Sequence, residues 1–305
     1  MVEDRYIPTR LGTVRVRLSG AGDPILMWPS LLMDHSLWDA QVEHLSTRFT
    51  TIALDPPGHG KSSRLTRTFT FDECATCIGE ILDALGFERT HLLGNSWGAM
   101  VGATFIARHP ERVRCSILMN GTASPAPARQ KVEYGVLVTI IRMMRGIRPP
   151  LTRSVVSAFL GPTSRKTRPA LGPLIVDIAR GQDAASIVQA VRSVVPQRPD
   201  QRELLATIRT PTLIIAGRED ATFPPAEVQR MAAVIPNSEF VLIEDAAHLV
   251  ALEVPGSVNT LIDDFIQKHE PTGQHMIDIG ARSPAEPEAG RGSETDTSAN
   301  DSGFA

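Results

Sequence analysis

The sequence predicts an α/β fold: a mostly parallel, doubly wound sheet that carries an inserted helical segment. Three observations predict it. Short apolar strand patterns alternate with helical patterns from residue 8 to about 122, as in successive βαβ units. From about 123 to 209 the strand signal vanishes and helical patterns take over. From 210 to 269 two further strand patterns return. The layout is therefore a core built from 1–122 and 210–269, an insertion over 123–209, and a tail over 270–305.

Strands are expected at 13–18, 24–27, 50–54, 91–93 and 116–119, with helices between them. One of these helices, over 71–85, holds Cys74 and Cys77 in its apolar pattern. No second ligand pair follows, so this Cys-x-x-Cys reads as a buried helix face rather than a metal or redox site. Cys115 begins a strand pattern and reads as core. The insertion is punctuated by Pro149-Pro150, Gly161-Pro162, Gly172-Pro173 and Pro196. Continuous apolar runs at 212–216 and 239–243 supply the returning strands. A helix at 257–268 would pack on the core or on another subunit. Beyond it the chain shifts to Gly, Ser, Pro, Glu, Thr and Asp, a composition that predicts disorder.

At 305 residues the chain can bury one sizeable core with an insertion. The formal net charge is −3 and the pI near 6.3. No basic run is interleaved with aromatics, so no nucleic-acid partner is expected. The start, Met1-Val2-Glu3-Asp4-Arg5, has two acids and no apolar stretch, unlike a signal peptide. No run reaches the ~18 apolar residues of a membrane span; the stretch 136–144 is broken by Arg142. Three cysteines imply no disulfide framework. These features predict a cytoplasmic protein acting on a small molecule. No metal site is expected, because His35, His44, His59, His91 and His109 are scattered without ligand spacing. No cofactor is expected either.

The most informative stretch is Leu92-Leu93-Gly94-Asn95-Ser96-Trp97-Gly98. It places Gly-x-Ser-x-Gly between an apolar strand and an Ala/Gly-rich helical pattern. That context is a sharp strand-to-helix turn, in which a serine is held in a strained conformation at the helix's positive end. A serine hydroxyl needs a base, and the base needs an anion to fix its tautomer. Asp220 follows the strand at 212–216, and His248 follows the strand at 239–243. Glu219 and Asp245 are nearby carboxylates that could be mistaken for the acid.

Ser96, Asp220 and His248 occur in the order of the α/β-hydrolase superfamily, and the chain resembles that family over residues 8–269. Asp55-Pro56-Pro57-Gly58-His59-Gly60-Lys61-Ser62 matches the family's Asp-x-x-Gly-x-Gly-x-Ser turn. The resemblance implies Ser96 as nucleophile, His248 as general base and then acid, and Asp220 as the residue orienting His248. Some relatives carry the acid after the preceding strand, but here that position offers Asn120 and Gly121, which favours Asp220. His59 lies in the motif turn and reads as structural. The oxyanion donors implied are the backbone N–H groups of Trp97 and Leu31. Most members carry His-Gly in the loop that supplies the second donor, where this chain has Trp28-Pro29. The stretch from Ser30-Leu31 to Trp38-Asp39 looks more like the loop of 3-oxoadipate enol-lactonases.

The insertion would lie over Ser96 as a cap. Its apolar residues Tyr134, Val136, Leu137, Ile140, Ile141, Met143 and Met144, then Val155, Val156, Phe159 and Leu160, line a pocket or form the cap's own core. Ser30 points into the pocket or serves the turn. Trp97, Phe223, Leu249 and Val250 flank the key residues, so Phe223 and Leu249, with Ser30 and Met143, are pocket candidates. Arg142, Arg145, Arg148 and Arg153 form a solvated basic face or attract a carboxylate-bearing substrate. The expected function is a serine hydrolase for an apolar, medium-to-large ester or lactone. The alternatives are a carbon–carbon bond hydrolase of the meta-cleavage type and a catalytically silent binding protein of this fold. Leu93-Gly94-Asn95-Ser96 and Arg108-His109-Pro110-Glu111-Arg112 resemble the carbon–carbon hydrolases. Against them stand Leu249, where they carry an aromatic residue, and the missing Gly-rich oxyanion loop. Haloalkane dehalogenases use Asp where this chain has Ser96.

Overall fold

A computed structural model of the chain describes residues 2–270. Those residues contain the strands β1 (Val2–Thr9), β2 (Gly12–Ser19), β3 (Pro24–Trp28), β4 (Thr50–Leu54), β5 (Thr90–Asn95), β6 (Val113–Met119), β7 (Thr212–Gly217) and β8 (Glu239–Ile243). They join in one sheet in the order β1-β2-β4-β3-β5-β6-β7-β8. The pairs from β4 to β8 are parallel, and β1 and β2 add an antiparallel edge. The mostly parallel, doubly wound sheet expected from the sequence is the one observed. β3, β5 and β7 are buried at every position. They are covered on both faces, which is why they read as unbroken apolar runs.

β1 was not expected from the sequence. Of its residues only Ile7 is buried. An edge hairpin strand needs little apolar content, because its backbone is satisfied by full-length pairing with β2 from Val2↔Ser19 to Thr9↔Gly12.

Helices begin and end where local chemistry dictates. The helix Phe71–Leu85 starts with a capping box. The Thr70 hydroxyl accepts from the Glu73 N–H, and the Glu73 carboxylate accepts from the Thr70 N–H. It ends at Gly86, which is left-handed at φ 77°. Its buried stripe includes Cys74, Cys77, Ile78 and Ile81. Both thiols are free, and burial pushes that of Cys77 up to about 12. The Cys-x-x-Cys is thus part of a core face.

From β3 the chain turns to β4 on one side of the sheet, then crosses to β5 on the other. The carboxyl ends of β3 and β5 therefore flank the point where the winding reverses, the position at which open α/β sheets form a crevice. The loop after β3 and the turn after β5 both sit there.

Between β6 and β7 the described chain runs through helices Ala128–Met144, Leu151–Phe159, Pro162–Thr167, Leu171–Gly181, Ala184–Val194 and Arg202–Leu205. The Thr222 hydroxyl ties this insertion to the loop after β7 by donating to the Ala158 carbonyl at 2.8 Å. The Glu219 carboxylate does the same by accepting from the Thr163 N–H and hydroxyl. The closing helix, Pro255–His269, packs on the core. Val258, Ile262 and Phe265 are buried, and Asp263 pairs with His44 and Arg48 beside the helix Asp39–Leu45. The tail expected to be disordered lies, past Glu270, outside the described residues. Among those residues, no helix is long and apolar enough to cross a membrane.

Candidate active site

Ser96 sits between β5 and the helix Trp97–Arg108, with φ 56° and ψ −108°. A non-glycine residue there is strained, and the surroundings force it. At Gly98 a Cβ would lie 1.9 Å from the Trp28 carbonyl oxygen, and at Gly94 a Cβ would lie 2.4 Å from the Gly98 carbonyl. Only glycines let the helix start this close to β3 and β5. The Ser96 N–H donates to the Met119 carbonyl at 2.8 Å, which pins the turn to β6.

His248 Nδ1 lies 2.8 Å from Asp220 Oδ2, and His248 Nε2 lies 2.8 Å from Ser96 Oγ. An ionised carboxylate only accepts. The proton on Nδ1 is therefore donated to Asp220, and Nε2 is left to accept from the Ser96 hydroxyl. All three residues are nearly fully buried. The other Asp220 oxygen accepts from the N–H groups of Thr222 and Phe223 at 2.7 and 3.0 Å, which holds the carboxylate's angle. Glu219, one residue earlier, binds Thr163, and Asp245 has no part in the chain of hydrogen bonds. Such a chain can take the proton of a serine as it attacks an electrophile and return it to a leaving group.

The loop bearing His248 is fixed by residues that sequence patterning did not single out for this purpose. Asn120, at the end of β6, donates to the carbonyls of Ala247 and His248 at 3.0 and 2.8 Å, and accepts from the Gly217 N–H. Asn95 donates to the same His248 carbonyl at 2.9 Å. The Glu253 carboxylate accepts from the N–H groups of Ala247 and Leu249. Burial raises its pKa despite these bonds. Asn120 occupies the strand end where an acid was considered; its amide serves the histidine loop instead.

The N–H groups of Leu31 and Trp97 have no hydrogen-bond partner among the described residues. The Trp97 N–H opens its helix, where the first donors have no partner within the helix. The Leu31 N–H is held by its neighbour. Leu32, at φ 67°, donates its N–H to His59 Nε2 at 3.1 Å. His59 Nδ1 faces the Pro57 carbonyl at 3.1 Å, so His59 is neutral with Nε2 as acceptor. Burial pulls its pKa down to about 4. The Asp55 motif is joined to the same loop. Its carboxylate accepts from the Lys61 and His35 N–H groups and meets the His35 ring at 2.7 Å. Burial pushes its pKa up, but the His35 ring and the two N–H groups together outweigh burial and hold it low.

Ser96, His248, Ser30, Leu31 and Phe223 line one cavity of about 260 Å³. The Ser30 hydroxyl is buried without a partner among the described residues. Much of the remaining wall comes from the insertion, including Tyr134, Leu137, Ile141, Leu151, Val155 and Phe159. Phe159 and Phe223 bracket the His248 ring at centroid distances of 5.5 and 5.7 Å.

Several pocket expectations are corrected. Met143 is 79% exposed. On its helix the cavity face is Tyr134, Leu137 and Ile141, and Met143, two residues past Ile141, points the opposite way. Leu249 and Val250 are fully buried in the core rather than in the cavity. The Trp97 side chain also turns inward, stacked on Phe69 and edge-on to Trp28, each at 5.4 Å. Arg142, Arg145, Arg148 and Arg153 are exposed and none lines the cavity.

One acidic–histidine cluster, Asp34, His35 and Asp55, has ligand atoms close enough for a metal. A buried guanidinium already stands there: Arg15 Nη1 is 2.6 Å from His35 Nδ1 and 3.6 Å from Asp55. The positive charge that such a cluster needs is supplied by the chain.

Comparison with known proteins agrees with this architecture. The family model described as alpha/beta hydrolase fold matches residues 23–255. A 2-hydroxy-6-oxononadienedioate/2-hydroxy-6-oxononatrienedioate hydrolase of Pseudomonas putida is 30% identical over 230 residues, 73% of this chain and 79% of that protein. A thermophilic esterase from Thermogutta terrifontis superposes with a TM-score of 0.80 at 26% identity, covering 88% of this chain and 99% of the other. The enol-lactonase of Burkholderia xenovorans shares the fold, with a TM-score of 0.79 at 23% identity, covering 86% of this chain and 100% of the other. The chain belongs to the α/β-hydrolase superfamily and is an enzyme of that family.

Proposed function

We propose that the protein is a serine hydrolase that cleaves a carboxylic ester or lactone through an acyl-enzyme. The observation that carries this reading is the hydrogen-bonded line Ser96–His248–Asp220, 2.8 Å at each step, opening into an apolar cavity. Ser96 Oγ attacks the carbonyl carbon while His248 Nε2 takes its proton. Asp220 keeps the imidazole oriented and stabilises the imidazolium. The tetrahedral oxyanion accepts from the Leu31 and Trp97 N–H groups, donors worth roughly 3–4 kcal/mol each in comparable sites. His248 returns the proton to the leaving alkoxide. It then activates water, which releases the acid and frees Ser96. In a lactone the alkoxide stays tethered, and the product is a hydroxy acid.

The segment 123–209 serves as the cap. The cavity of about 260 Å³ lies just below the ~300–1,000 Å³ of sites for drug-sized ligands, which favours the medium end of the expected size range. Likeness to the Thermogutta esterase supports ester chemistry. A second reading, carbon–carbon bond hydrolysis, is favoured by the 30% identity to the Pseudomonas hydrolase.

The test is acid release by pH-stat over p-nitrophenyl esters, lactones and a coloured dienol substrate, with Ser96→Ala as control. Ester or lactone turnover lost in the variant is the expected result. Turnover retained in Ser96→Ala overturns the mechanism. Decay of the dienol alone moves the assignment to carbon–carbon cleavage, and no turnover at all to a binding role.

A further inference from the structure

The cavity that holds Ser96 and His248 also holds a buried positive charge that the reaction above does not use. Arg198 follows the helix Ala184–Val194, is 6% exposed and lines this mostly apolar cavity. Its Nε donates to the Ser124 carbonyl at 2.9 Å and its Nη2 to Gln130 Oε1 at 3.2 Å. Its Cζ lies 5.4 Å over the Phe223 ring. Nη1 makes no hydrogen bond among the described residues.

No carboxylate among the described residues forms an ion pair with Arg198. The two nearest candidates are spent elsewhere. Glu133, which shares the cavity wall, pairs with Arg129. Glu227, in the adjoining open hollow that Arg198 also lines, pairs with Arg230 and accepts from the Thr122 hydroxyl. Burying an unpaired guanidinium is costly. The two bonds that pin Arg198 to a carbonyl and an amide could be made by a neutral donor, so positioning alone does not account for the charge.

We propose that Arg198 is the anion-binding residue of this cavity, and that the substrate carries a carboxylate on the part held there, away from the bond that Ser96 cleaves. The proposal rests on the hydrolase reading and narrows it to anionic esters or lactones, such as the half-ester of a dicarboxylic acid. Nε and Nη2 fix the guanidinium plane, and Nη1 is the free prong. The Phe223 ring backs the guanidinium and also touches His248, so one aromatic residue adjoins both the charge and the base. Burial holds the Arg198 pKa below the ordinary guanidinium value, and the charge of Glu227, too distant to form an ion pair, offsets this only in part.

The test compares mono-p-nitrophenyl adipate with its methyl ester, which differ by the charge and one methyl group. The wild type should favour the charged ester by about tenfold or more in kcat/KM. In Arg198→Gln the ratio should fall to near one, and in Arg198→Lys it should lie between. A wild-type ratio near one, or a ratio that persists in Arg198→Gln, overturns the proposal. Inhibition of the wild type by hexanoate against hexanamide reads the charge with no variant; equal inhibition overturns it even if Arg198→Gln does not fold. If neither ester is hydrolysed, the hydrolase reading is what fails. Adipate raising the Tm of the wild type, less that of Arg198→Lys and not that of Arg198→Gln would then still support the anion site, and adipate leaving the wild-type Tm unmoved would sink it.

Discussion

The Phe159 ring lies almost parallel to the His248 imidazole, 5.5 Å away with the planes 16° apart, and the Phe159 carbonyl accepts the His248 N–H at 3.2 Å. One residue of the helical insertion thus contacts the candidate base through both ring and backbone. The backbone bond survives any side-chain change, whereas the ring contact does not. Phe159→Leu keeps most of the apolar volume and removes the stacking. An aromatic pair contributes about 0.5–1.5 kcal/mol beyond area burial, so kcat should fall roughly 2- to 10-fold with a smaller change in KM. Steady-state kinetics on the best ester checks this. A variant with unchanged kcat would mean that the backbone bond alone positions His248.

The acid's position is tested by exchange. Asp220→Asn leaves the loop intact and presents the wrong hydrogen-bonding pattern to His248 Nδ1; kcat should drop by about 10⁴. Adding Asn120→Asp should not restore it. The Asn120 amide donates to two carbonyls, and a carboxylate in its place would face two acceptors. The double variant should therefore be less stable by about 3 kcal/mol and no more active. Urea unfolding and kcat measured on the same samples separate the two effects, and rescue by the second substitution would show that the acid's place is exchangeable.

Ser96 holds strain that its role requires. Its φ of 56° is one that glycine adopts freely. Ser96→Gly and Ser96→Ala both lose the hydroxyl and its bond to His248, so their difference isolates the backbone. Ser96→Gly should be the more stable of the two by about 1 kcal/mol, read as a shift of the urea midpoint at unchanged slope. Both should be inactive. Equal midpoints would mean that the turn bears no strain.

What was legible in the sequence follows from what each signal encodes. Ser96, Asp220 and His248 announce themselves because each follows an apolar strand, and in a parallel sheet the strand ends converge on one edge. Leu31 was singled out by the likeness of its loop to that of 3-oxoadipate enol-lactonases, not by a strand pattern. Tertiary packing decides the rest. Met143 and Ile141 are two residues apart on one helix, yet one is 79% exposed and the other 1%. No local pattern fixes the rotation of a helix whose apolar residues spread around its circumference. Arg198 drew no reading from the sequence, because its place at the cavity depends on Ser124 and Gln130, some 70 residues away in the chain. Asn120 and Glu253 act through backbone groups of the loop around His248, and sequence carries no mark of a side chain's backbone partner. β1 was silent because an edge strand is stabilised by backbone pairing rather than by an apolar face.

His59 links the folded state to pH through the loop that carries Leu31. It is buried and neutral, with its pKa lowered from 6.5 to about 4 mainly by burial. In the unfolded chain it titrates near 6.5. Below that pH the unfolded state binds a proton that the folded state does not, so stability falls with falling pH. The loss begins near pH 6.5 and is complete near pH 4, where the folded state also protonates. By pH 5 it amounts to about 2 kcal/mol. His59→Gln keeps a side-chain acceptor for the Leu32 N–H and removes the titration. Its stability at pH 7.5 should be lower than that of the wild type, because the imidazole also packs 5.4 Å from Trp97. Its further loss between pH 7.5 and pH 5 should be smaller than the wild type's by about 2 kcal/mol. Urea unfolding of both proteins at the two pH values gives the comparison directly, and parallel losses would show that His59 is not the group whose protonation loosens this loop.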